Sequence, residues 1–161
     1  MKPDLHDSFT YEDKEITVEW FDLKTENEIP DVRWSQVYVV GELDGNVPVV
    51  MYQHAADNLP GGTIEPGETV DEALRREVQE ELNCRVISWV PLGYQKNSSY
   101  GAEDVYQLRV YAILEVIGPF VVDPGGDVIG YKLVPLHELN RTIKWGERGD
   151  RIERLASNVI K

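Results

Sequence analysis

The sequence predicts an α/β (α+β) domain built on a mixed β-sheet. Three observations support this fold class: two apolar runs around a turn early in the chain, one long helix in the middle, and an amphipathic helix at the end. Strands and helices mixed in this way indicate an α/β or α+β domain with a mixed sheet. The 161 residues suit one domain, residues 1–161, with a substantial core.

The first part of the chain predicts strands rather than helices. Residues 1–14 are polar and acidic, and we expect them to be loosely ordered. Apolar and polar residues alternate over 16–20, which predicts a strand. Two further apolar runs, 37–41 and 47–51, flank Asp44-Gly45-Asn46, a turn sequence that predicts a β-hairpin.

The clearest helix begins after Thr69. Thr69 and Glu72 have the spacing of a capping box, which marks a helix start. Asn83 follows the last apolar residue, at a position where a left-handed residue commonly ends a helix. The apolar residues between these ends recur at helical spacing: Val70, Ala73, Leu74, Val78 and Leu82.

Three glutamates of this helix, Glu77, Glu80 and Glu81, adjoin one another because residues three or four apart share a helix face. At about 100° per residue, Glu81 projects between Val70 and Leu74 on the apolar stripe. Glu77 points only slightly to one side. Two carboxylates about 5–6 Å apart repel by ~3 kcal/mol at an effective dielectric near 20. Protons or a hard divalent cation would offset this cost, whereas the alternative is an ordinary charged helix face.

The second half of the chain predicts shorter elements around one long strand. We expect strands at 85–93, 105–116 and 131–134, a polar loop at 96–104, a helical turn at 135–139 and a helix over 152–160.

Residues 62–84 resemble the Nudix box, G-x5-E-x7-R-E-U-x-E-E-x-G-U, in which U is aliphatic. Gly62, Glu68 and the run REVQEE at 76–81 match this pattern. Asn83 stands where the family has glycine, and Cys84 takes the final aliphatic position. Asparagine tolerates a left-handed backbone and cysteine packs as a small hydrophobe. The resemblance implies a Nudix-type α/β/α sandwich with a central mixed β-sheet.

The resemblance also implies a Mg²⁺ site, with Mn²⁺ as a substitute. Glu77, Glu80 and Glu81 would ligate the cation, together with the backbone carbonyl of Gly61. Which glutamate is a ligand and which a general base stays open.

Glu68 and Arg76 would form a pair that holds the loop against the helix, an arrangement for which the arginine fork is suited. Gly62 would allow a backbone turn that a side chain would forbid.

Further candidates lie outside the box. Asp127, and Asp123 four residues earlier, lie in a loop that carries a metal-ligating or general-base acid in many Nudix proteins; a turn aspartate beside glycine is the equal alternative. His54, Arg33 and Tyr100 are candidate substrate contacts. A structural histidine, and ordinary strand or loop residues, are the alternatives.

Composition limits the partners and the location. A net charge of −13 argues against nucleic-acid polymers and membrane surfaces. A single cysteine, Cys84, excludes an internal disulfide and suits a reducing compartment. No apolar run near the start resembles a signal peptide or a membrane span, so we expect a cytoplasmic location. The expected partner is a small nucleotide, and a homodimer stays open.

These expectations combine into a Mg²⁺-dependent pyrophosphohydrolase. It would cleave the pyrophosphate of a nucleoside diphosphate linked to a moiety X, such as a nucleoside triphosphate, nucleotide sugar, ADP-ribose or dinucleoside polyphosphate. One alternative is a catalytically idle Nudix-like module that binds a nucleotide and regulates a partner. A second is a metal-free structural protein with an acidic helix.

Overall fold

A computed structural model describes residues 1–122 and 126–160. The strands are β1 (Leu5–Tyr11), β2 (Lys14–Asp22), β3 (Trp34–Glu42), β4 (Val47–Tyr52), β5 (Gly61–Thr63), β6 (Cys84–Ser98), β7 (Val105–Val116) and β8 (Val128–Val134). The helices are α1 (Val70–Leu82), α2 (Leu139–Ile143) and α3 (Gly146–Ile160), with 3₁₀ turns at Glu26–Glu28 and Leu136–Glu138.

Six strands form the central sheet, in the order β1-β2-β6-β7-β3-β5. The β3–β7 pair is parallel and the other pairs are antiparallel, so the sheet is mixed. Strands β4 and β8 form a separate antiparallel pair. The predicted fold class is confirmed.

Helices cover both faces of the central sheet. On one face, Leu74 of α1 belongs to the same buried cluster as Val39 of β3. On the other face, Ile152 of α3 packs in a cluster with Val40, the next residue along β3. Successive side chains of a strand point to opposite faces, so α1 and α3 enclose the sheet as an α/β/α sandwich.

The N-terminal segment differs from the expectation of loose order. It forms β1, which pairs with β2 from Leu5 opposite Trp20 to Tyr11 opposite Lys14. Glu12 and Asp13 connect the strands with φ of 48° and 63°. A two-residue turn with positive φ matches the twist of a hairpin, so the backbone ladder forms although most side chains of β1 are polar.

The turn predicted around Asp44 forms, but the strands on either side of it, β3 and β4, do not pair along their length as a hairpin would. Leu43 and Asn46 make an isolated bridge around Asp44 and Gly45, which have φ of 52° and 79°. Beyond this bridge the two strands take different partners: β3 pairs with β5 and β7, and β4 pairs with β8. This divergence carries the end of β4 toward α1.

Other boundaries shift by a few residues. Strand β6 continues to Ser98 because it pairs with β2 as well as β7, which shortens the predicted loop at 96–104. Strand β8 begins at Val128, and α3 begins at Gly146, earlier than the apolar pattern indicated. Helix α2 was not predicted.

Candidate active site

Both ends of α1 are fixed as its sequence predicts. The Thr69 hydroxyl accepts a hydrogen bond from Glu72 N (3.1 Å), and the Glu72 carboxylate accepts one from Thr69 N (3.2 Å). Asn83 ends the helix in the left-handed conformation, with φ of 51° and ψ of 46°. Its side-chain amide donates to Pro119 O (2.9 Å). These ends place the acidic turns of α1 against the strand that contains Gly61.

Glu81 is the most buried acid of the helix, with 9% of its surface exposed. Its Oε1 accepts a hydrogen bond from Gly61 N at 2.7 Å, and the Tyr52 hydroxyl lies near the carboxylate. Burial raises the pKa of Glu81 to about 7, and the charges of Glu77 and Glu80 add to this rise. The inward position predicted for Glu81 is confirmed.

Glu77 lies beside Glu81 and also faces inward, with 13% of its side chain exposed. Burial raises its pKa, although Arg76 opposes the shift by donating a hydrogen bond to Oε1 (3.0 Å). Gly62 packs directly against this carboxylate: a Cβ at Gly62 would lie 2.7 Å from Glu77 Oε1. The glycine thus leaves the space that the Glu77 carboxylate occupies.

Glu80 differs from the other two acids. Its side chain is 45% exposed and accepts a hydrogen bond from Arg76 Nη1 at 3.3 Å. Within residues 1–122 and 126–160, no three His, Cys, Asp or Glu side chains are arranged to hold a metal ion. The structure therefore brings Glu77 and Glu81 together, while Arg76 draws Glu80 toward itself.

Arg76 joins α1 to the loop that precedes it. Its Nε and Nη2 donate to Glu68 Oε2 (2.7 Å) and Oε1 (2.9 Å), and Nη2 also donates to Thr63 O (3.0 Å). The Glu68 carboxylate accepts a further hydrogen bond from Glu65 N. These contacts, chiefly those from Arg76, lower the pKa of Glu68 to about 2. The expected Glu68–Arg76 pair is present with bidentate geometry.

The loop acids fall at the edge of this region. Asp127 is exposed, and its backbone carbonyl accepts a hydrogen bond from Gln53 N (3.1 Å). This bond places Asp127 beside the residue that follows Tyr52. Asp123 lies outside the described residues.

The three candidate substrate contacts are all exposed. Arg33 lines a surface cavity of about 330 Å³ together with the loop residues from Glu65 to Val70. His54 lies in the bend after β4, and Tyr100 is fully exposed between β6 and β7. Their roles in substrate binding stay predictions.

Two tyrosines that the sequence did not single out reach the acids instead. Tyr52 lies near Glu81, and burial together with the charge of Glu81 raises the pKa of Tyr52. Burial also raises the pKa of Tyr38. The charges of Glu81 and Glu77 add to this rise, and the charge of Arg109 opposes it. No local signal marks Tyr52, because it meets α1 only after β4 separates from β3.

The donors present suit a hard divalent cation. Glu77 and Glu81 are neighbouring carboxylates whose pKa values are raised by burial, so a cation that replaces their protons would relieve both burial and repulsion. Oxygen ligands are those that Mg²⁺ prefers. Gly62 leaves room beside them where a side chain would intrude.

None of the helices within residues 1–122 and 126–160 has the length and apolarity that a membrane span requires.

Comparison with curated proteins finds relatives that match part of this chain. A Nudix hydrolase of Deinococcus radiodurans is 37% identical over 76 residues, covering 39% of this chain and 44% of the relative. The nucleoside triphosphatase NudI of Escherichia fergusonii is 39% identical over 54 residues, 34% of each chain. The matches span less than half the length of these two curated relatives.

The fold has close counterparts among solved structures. A variant of the Bacillus subtilis pyrophosphohydrolase BsRppH superposes with a TM-score of 0.71 at 21% identity, covering 95% of this chain and 97% of the other. The model of the NUDIX domain matches residues 33–155, which is most of the chain. That match, together with the box residues on α1, shows that this chain belongs to the Nudix family.

Proposed function

We propose that this chain is a Mg²⁺-dependent pyrophosphohydrolase, able to use Mn²⁺, that cleaves a nucleoside diphosphate linked to X in the cytoplasm. The observation that carries the proposal is the inward pair of buried Glu81, which accepts from Gly61 N, and largely buried Glu77, which packs against Gly62. A solvated helix face would leave both acids exposed. Nudix proteins generally use a divalent metal and act on small nucleotides, which supports this assignment.

The metal would be held by Glu77 and Glu81, with Glu80 and the Gly61 carbonyl as further ligands. A bound divalent cation screens phosphate charge and makes water a stronger nucleophile. Glu81 accepts a hydrogen bond from Gly61 N through Oε1, which orients the carboxylate and leaves Oε2 for the cation. Asp127, exposed at the edge of the site, is the candidate general base.

The relatives suggest where to begin with substrates. NudI is named as a nucleoside triphosphatase and BsRppH as a pyrophosphohydrolase, and both names describe cleavage of phosphoanhydrides. Nucleoside triphosphates are therefore the first class to test. Nucleotide sugars, dinucleoside polyphosphates and ADP-ribose follow.

The test is an activity screen over these four classes, with Mg²⁺ or Mn²⁺ present and products identified. Glu81→Gln and Glu77→Gln should lower turnover at least a hundredfold while both variants stay folded at the assay temperature. Glu115→Gln is the matched control, because Glu115 is an exposed acid whose single ion pair among the described residues is with exposed Arg85. Nucleotide binding without any phosphate release would favour the idle regulatory module instead.

A further inference from the structure

A second polar cavity, of about 210 Å³, lies on the face of the central sheet that carries α3. Arg109 of β7 and Arg148 of α3 both line it. Leu108 and Val110, the neighbours of Arg109, point to the α1 face, so Arg109 points the opposite way. The cavity therefore brings together two cations from separate elements.

Arg109 is almost completely buried, with 3% of its surface exposed. Its guanidinium carbon lies 4.7 Å from the ring centroid of Tyr38 and 5.1 Å from that of Trp145, so two aromatic rings contact it. Nη2 donates to the side-chain oxygens of Gln95 and Gln107, each at 3.2 Å. Nε and Nη1 have no hydrogen-bond partner among the described residues.

Arg148 approaches the same place from α3. Its Nη1 donates to Gln95 Oε1 at 3.2 Å, the oxygen that also accepts from Arg109. Its buried Nε has no hydrogen-bond partner within the described parts of the chain. The carboxylate of Asp7 lies 3.9 Å from this Nε, at the limit of an ion pair.

Two buried guanidinium groups that share one amide oxygen repel each other. Burial lowers the pKa of Arg109 to about 9 and lowers that of Arg148 as well. An unpaired buried N–H group is costly, and more so when it is charged. The chain carries 29 acidic residues, yet none among those described forms an ion pair with Arg109. An anionic ligand would satisfy the unpaired N–H groups and offset the repulsion.

Tyr38 connects this cavity to the acidic site. Its ring contacts the Arg109 guanidinium, which lies 4.7 Å from the ring centroid. Its backbone pairs with Gly61 of the edge strand β5, and Gly61 N donates to Glu81 Oε1 (2.7 Å). A ligand seated at the glutamates could therefore extend past Tyr38 to the arginines.

We propose that Arg109 and Arg148 bind a phosphate group that the substrate carries apart from the pyrophosphate that is cleaved. This inference rests on the proposed function, because it places the cleaved bond at Glu77 and Glu81. Arginine suits phosphate because its planar donors match the phosphate oxygens. The substrate would then be a nucleoside diphosphate derivative with an additional phosphomonoester on its ribose, at the 2′ or the 3′ position.

The first experiment measures binding without catalysis. Inorganic phosphate is titrated calorimetrically into metal-free wild type, Arg148→Gln, Arg109→Lys, Glu81→Gln and the control Arg141→Gln, whose side chain is 82% exposed. We expect Arg148→Gln and Arg109→Lys to weaken binding at least tenfold, and the other two variants to match the wild type. Equal binding by Arg148→Gln, or no binding by folded wild type, would overturn the anion site.

The second experiment locates the phosphate on the substrate. Hydrolysis is compared for ADP-linked substrates with and without a ribose 2′-phosphate, and with and without a 3′-phosphate. In at least one pair, the wild type should prefer the phosphorylated member at least tenfold in kcat/KM. Arg148→Gln should abolish this preference, but its kcat/KM for the member without the extra phosphate should stay within twofold of the wild type. Equal losses on both members would indicate a merely structural arginine.

Together, the two experiments distinguish a failure of the proposed pyrophosphohydrolase activity from a failure of the proposed phosphate site at Arg109 and Arg148. Arginine-dependent phosphate binding by a protein that hydrolyses nothing would contradict the proposed function and leave the anion site standing. Phosphate binding without a preference in either pair would assign the cavity to free phosphate and overturn the substrate assignment.

Discussion

Gly62 and Glu77 are packed so closely that only the absence of a side chain at Gly62 gives the carboxylate its place. A Cβ there would meet the end of a flexible side chain, Glu77 Oε1, at 2.7 Å. Gly62→Ala should therefore displace the carboxylate and leave the backbone in place. We expect Mg²⁺ affinity to fall about 10- to 100-fold, as for other changes that misplace a ligand, with little change in thermal stability. Calorimetric metal titration and thermal unfolding measure the two effects.

Gly61→Ala is the contrasting control. Its Cβ would lie 2.7 Å from Tyr38 Cα, a backbone atom that cannot move aside, and Gly61 has a φ of 144° that other residues rarely adopt. This variant should lose much of its folding stability. Equal loss of stability in both variants would show that Gly62 serves the fold rather than the position of Glu77.

The hydrogen bonds that join Arg76 to Glu68 and to Thr63 O, here called the Arg76 clamp, give a second prediction. Lysine has no planar fork, so Arg76→Lys cannot keep both hydrogen bonds to Glu68 together with the one to Thr63 O. We expect turnover to fall about tenfold or more, because small displacements of catalytic groups reduce rates strongly, and the unfolding midpoint to fall by a few degrees. Steady-state kinetics and thermal unfolding test this.

Arg75→Lys is the matched substitution one position earlier. Arg75 forms an exposed pair with Asp71, which contributes little to stability, and donates one hydrogen bond to Val86 O (2.9 Å). It does not contact the loop before α1, so Arg75→Lys should keep the turnover of the wild type and lower the unfolding midpoint less than Arg76→Lys. If Arg76→Lys behaved like Arg75→Lys, the clamp would have no part in positioning the loop.

Local sequence signals were sufficient for α1. The capping box of Thr69 and Glu72, the apolar spacing and the left-handed Asn83 all act within a few residues, so the sequence predicted both helix ends and the inward face of Glu81. The box resemblance also anticipated the Glu68–Arg76 pair, which spans only eight residues. The helix ends follow from spacing, whereas the Glu68–Arg76 pair follows from the resemblance to the Nudix box.

Long-range contacts could not be inferred in that way. Tyr52 reaches Glu81 because β4 leaves β3 and pairs with β8, a choice that no nearby residue encodes. Arg109 alternates with apolar residues in β7, which is also the pattern of a solvent-facing strand residue. Only the packing of α3 against that face buries it beside Arg148.

Asn83, which stands where the Nudix box has glycine, gives a third prediction, on the stability of the end of α1. It adopts φ of 51° and donates to Pro119 O, so its side chain offsets part of the cost of the left-handed conformation. Asn83→Ala should lower the free energy of unfolding by about 1–2 kcal/mol. Asn83→Gly should be nearly neutral, because glycine removes the strain and the hydrogen bond together. Chemical denaturation measures both, and an alanine variant as stable as the glycine variant would refute this reasoning.

Glu81 predicts how stability depends on pH when no metal is bound. Its pKa is raised from 4.5 to about 7, chiefly by burial, so the folded protein binds more protons than the unfolded chain between these values. Stability should therefore fall as pH rises through this window, by roughly 3 kcal/mol from this group. A metal ion binds the deprotonated carboxylate, so Mg²⁺ should restore stability most strongly above pH 7.

Denaturation of wild type and Glu81→Gln in a chelating buffer, from pH 4.5 to 8, isolates this contribution. The glutamine cannot ionise, so the unfolding free energy of Glu81→Gln should lack this fall. As pH rises, the variant should therefore become more stable relative to the wild type. Adding Mg²⁺ should stabilise the wild type far more than the variant. Parallel pH curves, with the same response to Mg²⁺, would mean that the charge of Glu81 is already compensated within the fold and that no cation is needed there.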